Sequence, residues 1–596
     1  MKRLSALPNR RFLRQPRLSA VAAALVLAGI GVAPPTAHAA TVTNPICPTE
    51  FALFNPDNGG AIVVPPGFKV SVFKAGLNFP TGIAFKGNSQ SFEVYVLESG
   101  HGLPSICNEQ GSPKVGGTFS PTNPFTPDIL VFDQAGNLLR SLAKPTGSGT
   151  TQTGGLQAAG PSVDIAFERG LQGGRLFASD SNQATHAAGQ NNSSRIVTVD
   201  PVTGNVTPFI TGLPTGDHPT EQFAFDGRYI YWSQGSTTNS GVVGRDNGGG
   251  ANQQDIPCQD IVLSQNVFDS GAGVKTSGYS PFGMQRPGVT VKAFDSAMHK
   301  GVCDGAILRA QLNAAHPEDT IEPFSWGYRN GYAIRFAPED HPLSGGLLVG
   351  EDGADERGAR PSNNAPDSLQ LAKQNADGTP DYHGWPDRYG FLPSSQAVFN
   401  PVGGPGDDLC TSPPNTPFPA CIPTVLKEDV PIRNVLAFPP QQITSPLAIE
   451  AADSSFTGID FAPKSFVADP VEDGAALYTL EGDFGFSAGN ATPPAPEVGH
   501  EVKLINFDTK GDKPLALKIQ RFAHNTTFEQ AFPDGIAGFN RPTNVKFGPD
   551  GCAYVVDYGV VRDFGQSDPA AKFITPGDGP LVQIPGTGVI WKICKQ

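Results

Sequence analysis

Gly331-Tyr-Ala-Ile-Arg-Phe336 begins one copy of a pattern that repeats along the chain. The copy continues with Gly346-Leu-Leu-Val-Gly-Glu-Asp-Gly353. An apolar strand ends in Phe, a turn containing Gly follows, and a second strand runs into an acidic or Gly-rich end. The same pattern recurs along the chain, in copies that begin at Pro80, Val163, Glu221, Phe456 and Pro542.

Six copies of this pattern predict an all-β protein with the fold of a six-bladed β-propeller. One blade cannot bury both of its faces alone, whereas stacking around a ring buries each blade between two neighbours. We therefore expect a single propeller domain over 40–596, with long Pro- and Gly-rich loops inserted at 248–322 and 391–451 to build or cover a binding face. A pair of β-sandwiches is the alternative, but sandwiches do not repeat a Phe-turn-strand pattern this often.

The composition agrees with many short strands joined by turns. The 596 residues include 70 Gly and 57 Pro, and only 16% are charged. A formal net charge of -14 argues against a nucleic-acid partner, because a phosphate-binding surface needs a positive field. After the N-terminal segment, no apolar stretch approaches the length of a membrane span.

The N-terminus has the pattern of a signal peptide. Basic residues up to Arg17 precede an apolar run from Leu18 to Val32, and Ala37-His38-Ala39 fits a cleavage site. We expect residues 1–39 to be removed and the mature protein to be periplasmic or secreted. The pair Arg10-Arg11 leaves the twin-arginine route and the general secretory route both open.

The cysteines predict disulfide bonds, because an even number of them follows the cleavage site and the compartment is oxidising. Cys410 with Cys421 closes a short loop, and Cys552 with Cys594 ties together the second and final strands of the last blade. Three pairings are open for the other four, and the least costly is Cys47 with Cys107 and Cys258 with Cys303.

Two residues that precede inner strands are candidates for chemistry, because polar side chains at these positions converge on one mouth of the channel. His218 suits a general base, since histidine titrates near neutral pH. Arg329 suits an anionic cofactor or developing negative charge, since its guanidinium is a rigid fork of donors. The alternatives are a loop histidine bonded to its own turn and a structural arginine paired with a carboxylate of a neighbouring blade.

The acidic segment Glu351-Asp352-Gly353-Ala354-Asp355-Glu356 is a candidate calcium site. Carboxylates and backbone carbonyls around a glycine are the oxygen ligands that calcium takes, although the spacing is not that of an EF-hand. A solvated acidic turn is the alternative.

Four motifs carry a resemblance to a known family: Tyr328-Arg329-Asn330, Glu351-Asp352-Gly353, Gly384-Trp385-Pro386 and Arg541-Pro542. From Gly67 to Ile593 the chain resembles the glucose/sorbosone dehydrogenase family, whose members include soluble dehydrogenases that use pyrroloquinoline quinone. The resemblance implies a six-bladed propeller that holds the quinone over its channel, with calcium bridging the quinone to the protein.

The resemblance also implies roles for individual residues. His218 is similar to the family's base, Arg329 to the residue that contacts the reactive carbonyl of the quinone, and Asn330 to a further quinone contact. Ser233-Gln234-Gly235 stands where the family has an acidic partner for its base. Lys503 and Arg541 are candidates for binding the carboxylates of the quinone. The candidate calcium ligands are the carbonyls of Gly353 and Ala354, with Asp352 and Asp355.

These observations favour an exported oxidoreductase that oxidises a small sugar or related alcohol or aldose and passes two electrons to pyrroloquinoline quinone. An external electron acceptor is implied, because the chain has no Cys-x-x-Cys-His motif for attaching haem. The alternatives are a calcium-dependent propeller hydrolase or lactonase and a non-catalytic propeller that binds carbohydrate.

Overall fold

The chain folds into six antiparallel sheets whose inner strands contact one another in a closed ring, so the predicted all-β, six-bladed β-propeller is confirmed. Within the described residues no helix is both long and apolar enough to cross a membrane. The computed structural model describes residues 39–596 except for 46–50, 101–123, 146–153, 158–159, 183–192, 245–252, 271–273, 296, 298, 356–358, 361, 363–364, 389–432, 443, 483–497, 509–514, 528–530, 532–536 and 564–580.

Each blade is a meander of four strands, numbered here by blade in chain order. From the axis outward, the strands of blade 1 are Pro80–Asn88, Ser91–Glu98, Asp128–Asp133 and Leu138–Leu142; of blade 2, Ile165–Phe167, Leu176–Asp180, Ser194–Val199 and Val206–Leu213; of blade 3, Thr220–Phe225, Tyr229–Gln234, Ala306–Gln311 and Glu322–Trp326. The strands of blade 4 are Asn330–Phe336, Leu347–Asp352, Ser368–Ala372 and Ala448–Ile449; of blade 5, Phe456–Phe461, Ala476–Leu480, Glu501–Asp508 and Ala516–Asn525; of blade 6, Pro542–Phe547, Ala553–Asp557, Gly588–Lys595 and Phe68–Leu77.

Smaller elements complete the described residues. Asp381–Tyr382 adds a parallel strand to blade 3, and Ile62–Val63 adds an edge strand to blade 5. The short two-stranded pairs are Ala40–Thr43 with Phe51–Phe54, Ile261–Val262 with Thr290–Val291, Phe268–Asp269 with Lys275–Thr276, and Val561–Asp563 with Leu581–Gln583. The helical turns in the described ranges are the 3-10 segments Asp57–Gly59, Gly170–Gln172, Pro317–Thr320 and Lys464–Phe466.

The recurring Phe at the end of each inner strand packs blade against blade. Phe167 of blade 2 lies against Tyr95 of blade 1, with 5.0 Å between ring centroids, and Phe336 of blade 4 lies 4.9 Å from Tyr231 of blade 3. The ring closes in the same way, because Phe85 of blade 1 lies 4.9 Å from Tyr554 of blade 6. Aromatic pairs of this kind bury large apolar areas, which explains why the pattern marks every copy.

Polar side chains of the inner strands join neighbouring blades around the axis. The Thr81 hydroxyl donates to the Ser162 carbonyl (3.2 Å) between blades 1 and 2, and the Thr457 hydroxyl donates to the Pro542 carbonyl (3.1 Å) between blades 5 and 6. The Asn544 amide donates to the Thr81 carbonyl (3.1 Å) and links blade 6 back to blade 1. These bonds satisfy polar groups that the stacked blades bury.

The ring is closed by an N-terminal strand, which the sequence pattern did not predict. Phe68–Leu77 is the outermost strand of blade 6 and pairs antiparallel with the C-terminal strand Gly588–Lys595. The last blade therefore contains both ends of the propeller, and the ring cannot open without breaking this pairing.

Two of the predicted disulfides are confirmed. Cys552 bonds to Cys594, with a Cα–Cα distance of 4.5 Å, and Cys258 bonds to Cys303, with a Cα–Cα distance of 5.2 Å. The other predicted pairs, Cys47 with Cys107 and Cys410 with Cys421, lie outside the described residues.

Replacing both Cys552 and Cys594 by Ser should lower the thermal unfolding midpoint, because the bond constrains the unfolded chain by about 2 to 4 kcal/mol and lies beside the strand pairing that closes the ring. Thermal unfolding followed by circular dichroism measures the shift. An unchanged midpoint in the double variant would show that the strand pairing closes the ring without the bond.

Candidate active site

The loops that enter the inner strands are held at one rim by carboxylates at the ends of the second strands. In four blades such a carboxylate accepts a backbone N–H from the segment leading into the inner strand. The pairs are Glu98 with Asn78 (2.7 Å), Asp180 with Gln157 (2.8 Å), Glu351 with Arg329 (3.2 Å) and Asp557 with Arg541 (2.8 Å). The acidic end of the repeat is therefore structural in these blades.

His218 and Arg329, far apart in sequence, are brought together at this rim. Asp352 lies between them, because its Oδ2 is 3.9 Å from His218 Nε2 and 2.9 Å from Arg329 Nη1. The His218 side chain is 18% exposed and the Arg329 side chain 2% exposed, so a ligand entering the mouth meets the imidazole first.

Asp217 is a site residue that the sequence argument missed. Its Oδ2 lies 3.3 Å from His218 Nδ1 and also 3.3 Å from Arg329 Nη2. Ser233-Gln234-Gly235 stands where the family has an acidic partner for its base. In the structure, the acidic residue next to His218 is the one that directly precedes it in the chain. Adjacency in sequence was the available signal.

The residues predicted to bind calcium surround the Arg329 guanidinium. Nη1 donates to the carbonyl of Gly353 (2.7 Å) as well as to Asp352, and Nη2 forms an ion pair with Asp355 (2.5 Å). The alternative expected from the sequence, a structural arginine paired with a neighbouring blade's carboxylate, is thus also present in the contact with Asp217. Ala354 is buried beside Gly353.

The predicted quinone contacts have different surroundings. Asn330 is 2% exposed, and no hydrogen-bond partner is found for its Oδ1 among the described residues. The Arg541 guanidinium is buried and donates to the Gly482 carbonyl (2.5 Å). Lys503 lies on the third strand of blade 5, where its ammonium forms an ion pair with Glu450.

A buried loop connects the backbones of these residues. Residues 235–241, which we name the site loop, follow the second strand of blade 3 and are all buried. The His218 N–H donates to the Ser236 carbonyl (3.1 Å), and the Ser236 N–H donates to the Arg329 carbonyl (2.9 Å). The loop thereby fixes the distance between the two candidate catalytic residues.

Further carboxyl groups line the axis below the mouth. Burial raises the pKa of Glu481 to about 7; the nearby Arg541 opposes this shift and Asp352 adds to it. Burial also raises the pKa of Glu221 well above its usual range, with Asp352 and Asp164 adding to the effect. These carboxyl groups therefore raise one another's pKa across the axis.

Comparison with known proteins finds matches among solved structures. Neither a protein-family model nor a curated protein sequence matches the chain. Among solved structures, the PQQ domain of pyranose dehydrogenase from Coprinopsis cinerea in its holo form matches with a TM-score of 0.46 and 13% identity, over 89% of this chain and 97% of that one.

Two further solved structures match at a similar level. A calcium structure of a family AA12 enzyme from Trichoderma reesei has a TM-score of 0.46 and 15% identity, over 91% of this chain and 98% of that one. The soluble aldose sugar dehydrogenase from Escherichia coli in its apo form has a TM-score of 0.42 and 12% identity, over 89% and 100%. Likeness of this degree assigns no activity, so function must be inferred from the chain's own residues.

Asp164, on the axis, predicts a pH-dependent difference in stability. Burial raises its pKa to about 6, against the opposing charge of Lys546. The folded protein therefore binds this proton more tightly than the unfolded chain does, and the stabilisation is complete below pH ~4 and lost as the pH rises to ~6. Relative to Asp164→Asn, the wild type should lose up to about 3 kcal/mol across that window in urea unfolding. Parallel pH profiles for the two proteins would contradict the shift.

Proposed function

We propose that the mouth of the channel is the active site of an exported oxidoreductase that oxidises a sugar or a related alcohol or aldose, with pyrroloquinoline quinone as the two-electron acceptor and an external acceptor downstream. The observation that carries the proposal is the convergence of Asp217, His218 and Arg329 from two neighbouring blades. A base, its orienting carboxylate and a buried cation are the groups that such an oxidation needs.

His218 is the proposed general base. Asp217 Oδ2 lies 3.3 Å from Nδ1, so this carboxylate attracts the positive charge that the imidazole gains with a proton. Nε2, which lies 3.9 Å from Asp352 Oδ2, is the ring nitrogen proposed to take the proton of a substrate hydroxyl. Once the imidazole has taken the hydroxyl proton, the two carboxylates stabilise its positive charge.

Arg329 and Asn330 are the proposed groups on the quinone side of the mouth. When bound, pyrroloquinoline quinone would supply the two-electron acceptor that the protein's own side chains lack. The residues fit such a group, because the Asn330 amide oxygen is a buried acceptor without a described partner and the Arg329 and Arg541 guanidinium groups offset negative charge. Arg329 also stabilises the anionic oxygen that develops during oxidation.

The calcium ion that the resemblance implies does not fit the residues predicted to bind it. The Gly353 carbonyl and the carboxylates of Asp352 and Asp355 face the Arg329 guanidinium, and a divalent cation on the same oxygens would repel that charge. No group of three or more His, Cys, Asp or Glu residues suited to a metal is found in the described part of the chain. No step is therefore assigned to calcium.

Replacing His218 by Gln should lower turnover by roughly a hundredfold or more, the contribution of a general base, while the fold and quinone binding persist. Dye reduction by the purified, quinone-loaded protein with a panel of sugars measures turnover. The matched control is His316→Gln, because the His316 side chain is 72% exposed and lies in a surface turn. Full activity in the His218 variant would remove the proposed function and leave the fold unaffected.

Replacing Arg329 by Lys should also lower turnover strongly, because a point charge cannot serve the carbonyl and the carboxylates that the planar fork serves. The control is Arg335→Lys, whose side chain is 44% exposed and pairs with Asp460 away from the mouth. Equal activities in the two variants would show that the fork has no role in the reaction.

Millimolar calcium or a chelator should leave the thermal midpoint of the wild type unchanged, because Arg329 already balances the acidic segment. In Arg329→Gln the carboxylates lose that charge, so the midpoint should fall and calcium should restore part of it. A wild-type midpoint that rises with calcium and falls with chelator would show that the ion displaces the guanidinium.

A further inference from the structure

Besides the bonds of Ser236, the site loop forms further hydrogen bonds with residues at the mouth. The Asp217 N–H donates to the Thr237 carbonyl (2.9 Å). Asn239 bonds Asp355 in both directions, with its amide nitrogen donating to the Asp355 carbonyl and the Asp355 N–H donating to its amide oxygen, each at 2.8 Å. The backbones of Asp217 and Asp355, two of the three aspartates that contact Arg329, are therefore bonded to this loop.

Two glycines allow the loop to approach so closely. A Cβ on Gly235 would overlap the His218 side chain, and a Cβ on Gly216 would overlap the backbone of Thr237. The loop consequently lies directly on the segment that carries Asp217 and His218, and a shift of one displaces the other.

Asp304 accepts hydrogen bonds from the site loop. One of its oxygens, Oδ2, accepts from both the N–H (3.1 Å) and the hydroxyl (2.5 Å) of Thr237, and the other accepts the N–H of Ile256 (2.8 Å). The residue is 2% exposed. Burial and the nearby Asp255 raise the pKa of Asp304 well above its usual range, and its bonds to the loop are screened from water.

Asp255 repeats the arrangement one residue further along the loop. Its Oδ1 accepts the Thr238 N–H (3.0 Å) and its Oδ2 accepts the Thr238 hydroxyl (2.6 Å). The two aspartates come from the insertion between the second and third strands of blade 3, and the Cys258–Cys303 disulfide joins the segments that carry them. Asp304 follows Cys303 directly.

We infer that Asp255 and Asp304 are positioning residues of the mouth, and that the disulfide between Cys258 and Cys303 fixes them in place. Each carboxyl group accepts the backbone N–H and the hydroxyl of one threonine of the site loop. They act on Asp217, His218 and Arg329 through the loop, without touching a ligand. The insertion at 248–322, which the sequence predicted to build or cover a binding face, thus supports the site loop through Asp255 and Asp304.

Conservative substitutions separate the two aspartates. In Asp304→Asn, an amide N–H must face the N–H of Thr237 or the N–H of Ile256, so one donor loses its acceptor. In Asp255→Asn, the amide can donate to the Thr238 oxygen once the hydroxyl rotates, so the loop keeps its bonds. We expect a large effect for the first variant and a small one for the second.

Trp385 provides a readout that needs no substrate, because its indole N–H donates to the Asn239 carbonyl of the loop (3.2 Å). The protein has four Trp residues, so labelling with 5-fluorotryptophan gives a simple ¹⁹F spectrum, assigned by single Trp→Phe variants. Asp304→Asn should shift or broaden the Trp385 signal while that of Trp591 in blade 6 stays, and should lower turnover by roughly tenfold or more.

The matched control is Asp180→Asn in blade 2, where a buried carboxylate likewise accepts the backbone N–H of a loop (Gln157, 2.8 Å). This variant should lower the unfolding midpoint without moving the Trp385 signal. An Asp304→Asn protein that folds with an unchanged Trp385 signal would overturn the inference, as would an equal shift caused by Asp180→Asn.

The disulfide gives an independent test should Asp304→Asn fail to fold. Replacing Cys258 and Cys303 by Ser should move the Trp385 signal, whereas replacing Cys552 and Cys594 should not. The reverse result would overturn the inference. Its catalytic consequence rests on the proposed function, but the ¹⁹F signal does not: a shifted signal in a protein inactive toward every sugar would reject the function alone.

Discussion

The structure depends on one constraint, which is that inner strands packed between neighbouring blades bury polar side chains as well as apolar ones. All six residues of Phe456–Phe461 are buried, and Thr457 within that strand accepts from Gln222 of blade 3 and donates to Pro542 of blade 6. A buried hydroxyl or amide costs free energy unless it is bonded. The blades therefore hold one another through these groups, and the axis is polar because the ring requires it.

The same requirement explains why an acidic residue ends most of the second strands. The carboxylates of Glu98, Asp180 and Asp557 accept a backbone N–H from the segment that enters the inner strand. These bonds fix the position of that segment and need no ligand. Blade 4 has two acidic residues at this position. Glu351 accepts the backbone N–H of Arg329, and its neighbour Asp352 faces the side chains of Arg329 and His218. The candidate site thus differs from the structural repeat by one extra carboxylate in blade 4.

The parts of the molecule that the sequence predicted are those set by local pattern or by the repeat. The Phe at the end of each copy marks a contact between blades, and Cys552 with Cys594 follows from neighbouring strands of one blade. The closing strand Phe68–Leu77 was missed because its partner lies at the other end of the chain. The role of Asp217 was missed because it depends on Arg329 arriving from another blade, which no local spacing encodes.

The Arg329 guanidinium offsets part of the negative charge at the mouth, so its structural role cannot be separated from its proposed chemical role. Three carboxylates, from Asp217, Asp352 and Asp355, contact the Arg329 side chain, which is only 2% exposed. Removing the cation from such a group leaves buried negative charge, a loss of about 3 to 5 kcal/mol for a buried pair. The excess of carboxylates over cations also means that a proton taken up by His218 lowers the repulsion in the group. In the proposed reaction, the field that holds Arg329 in place would therefore also favour proton transfer to His218.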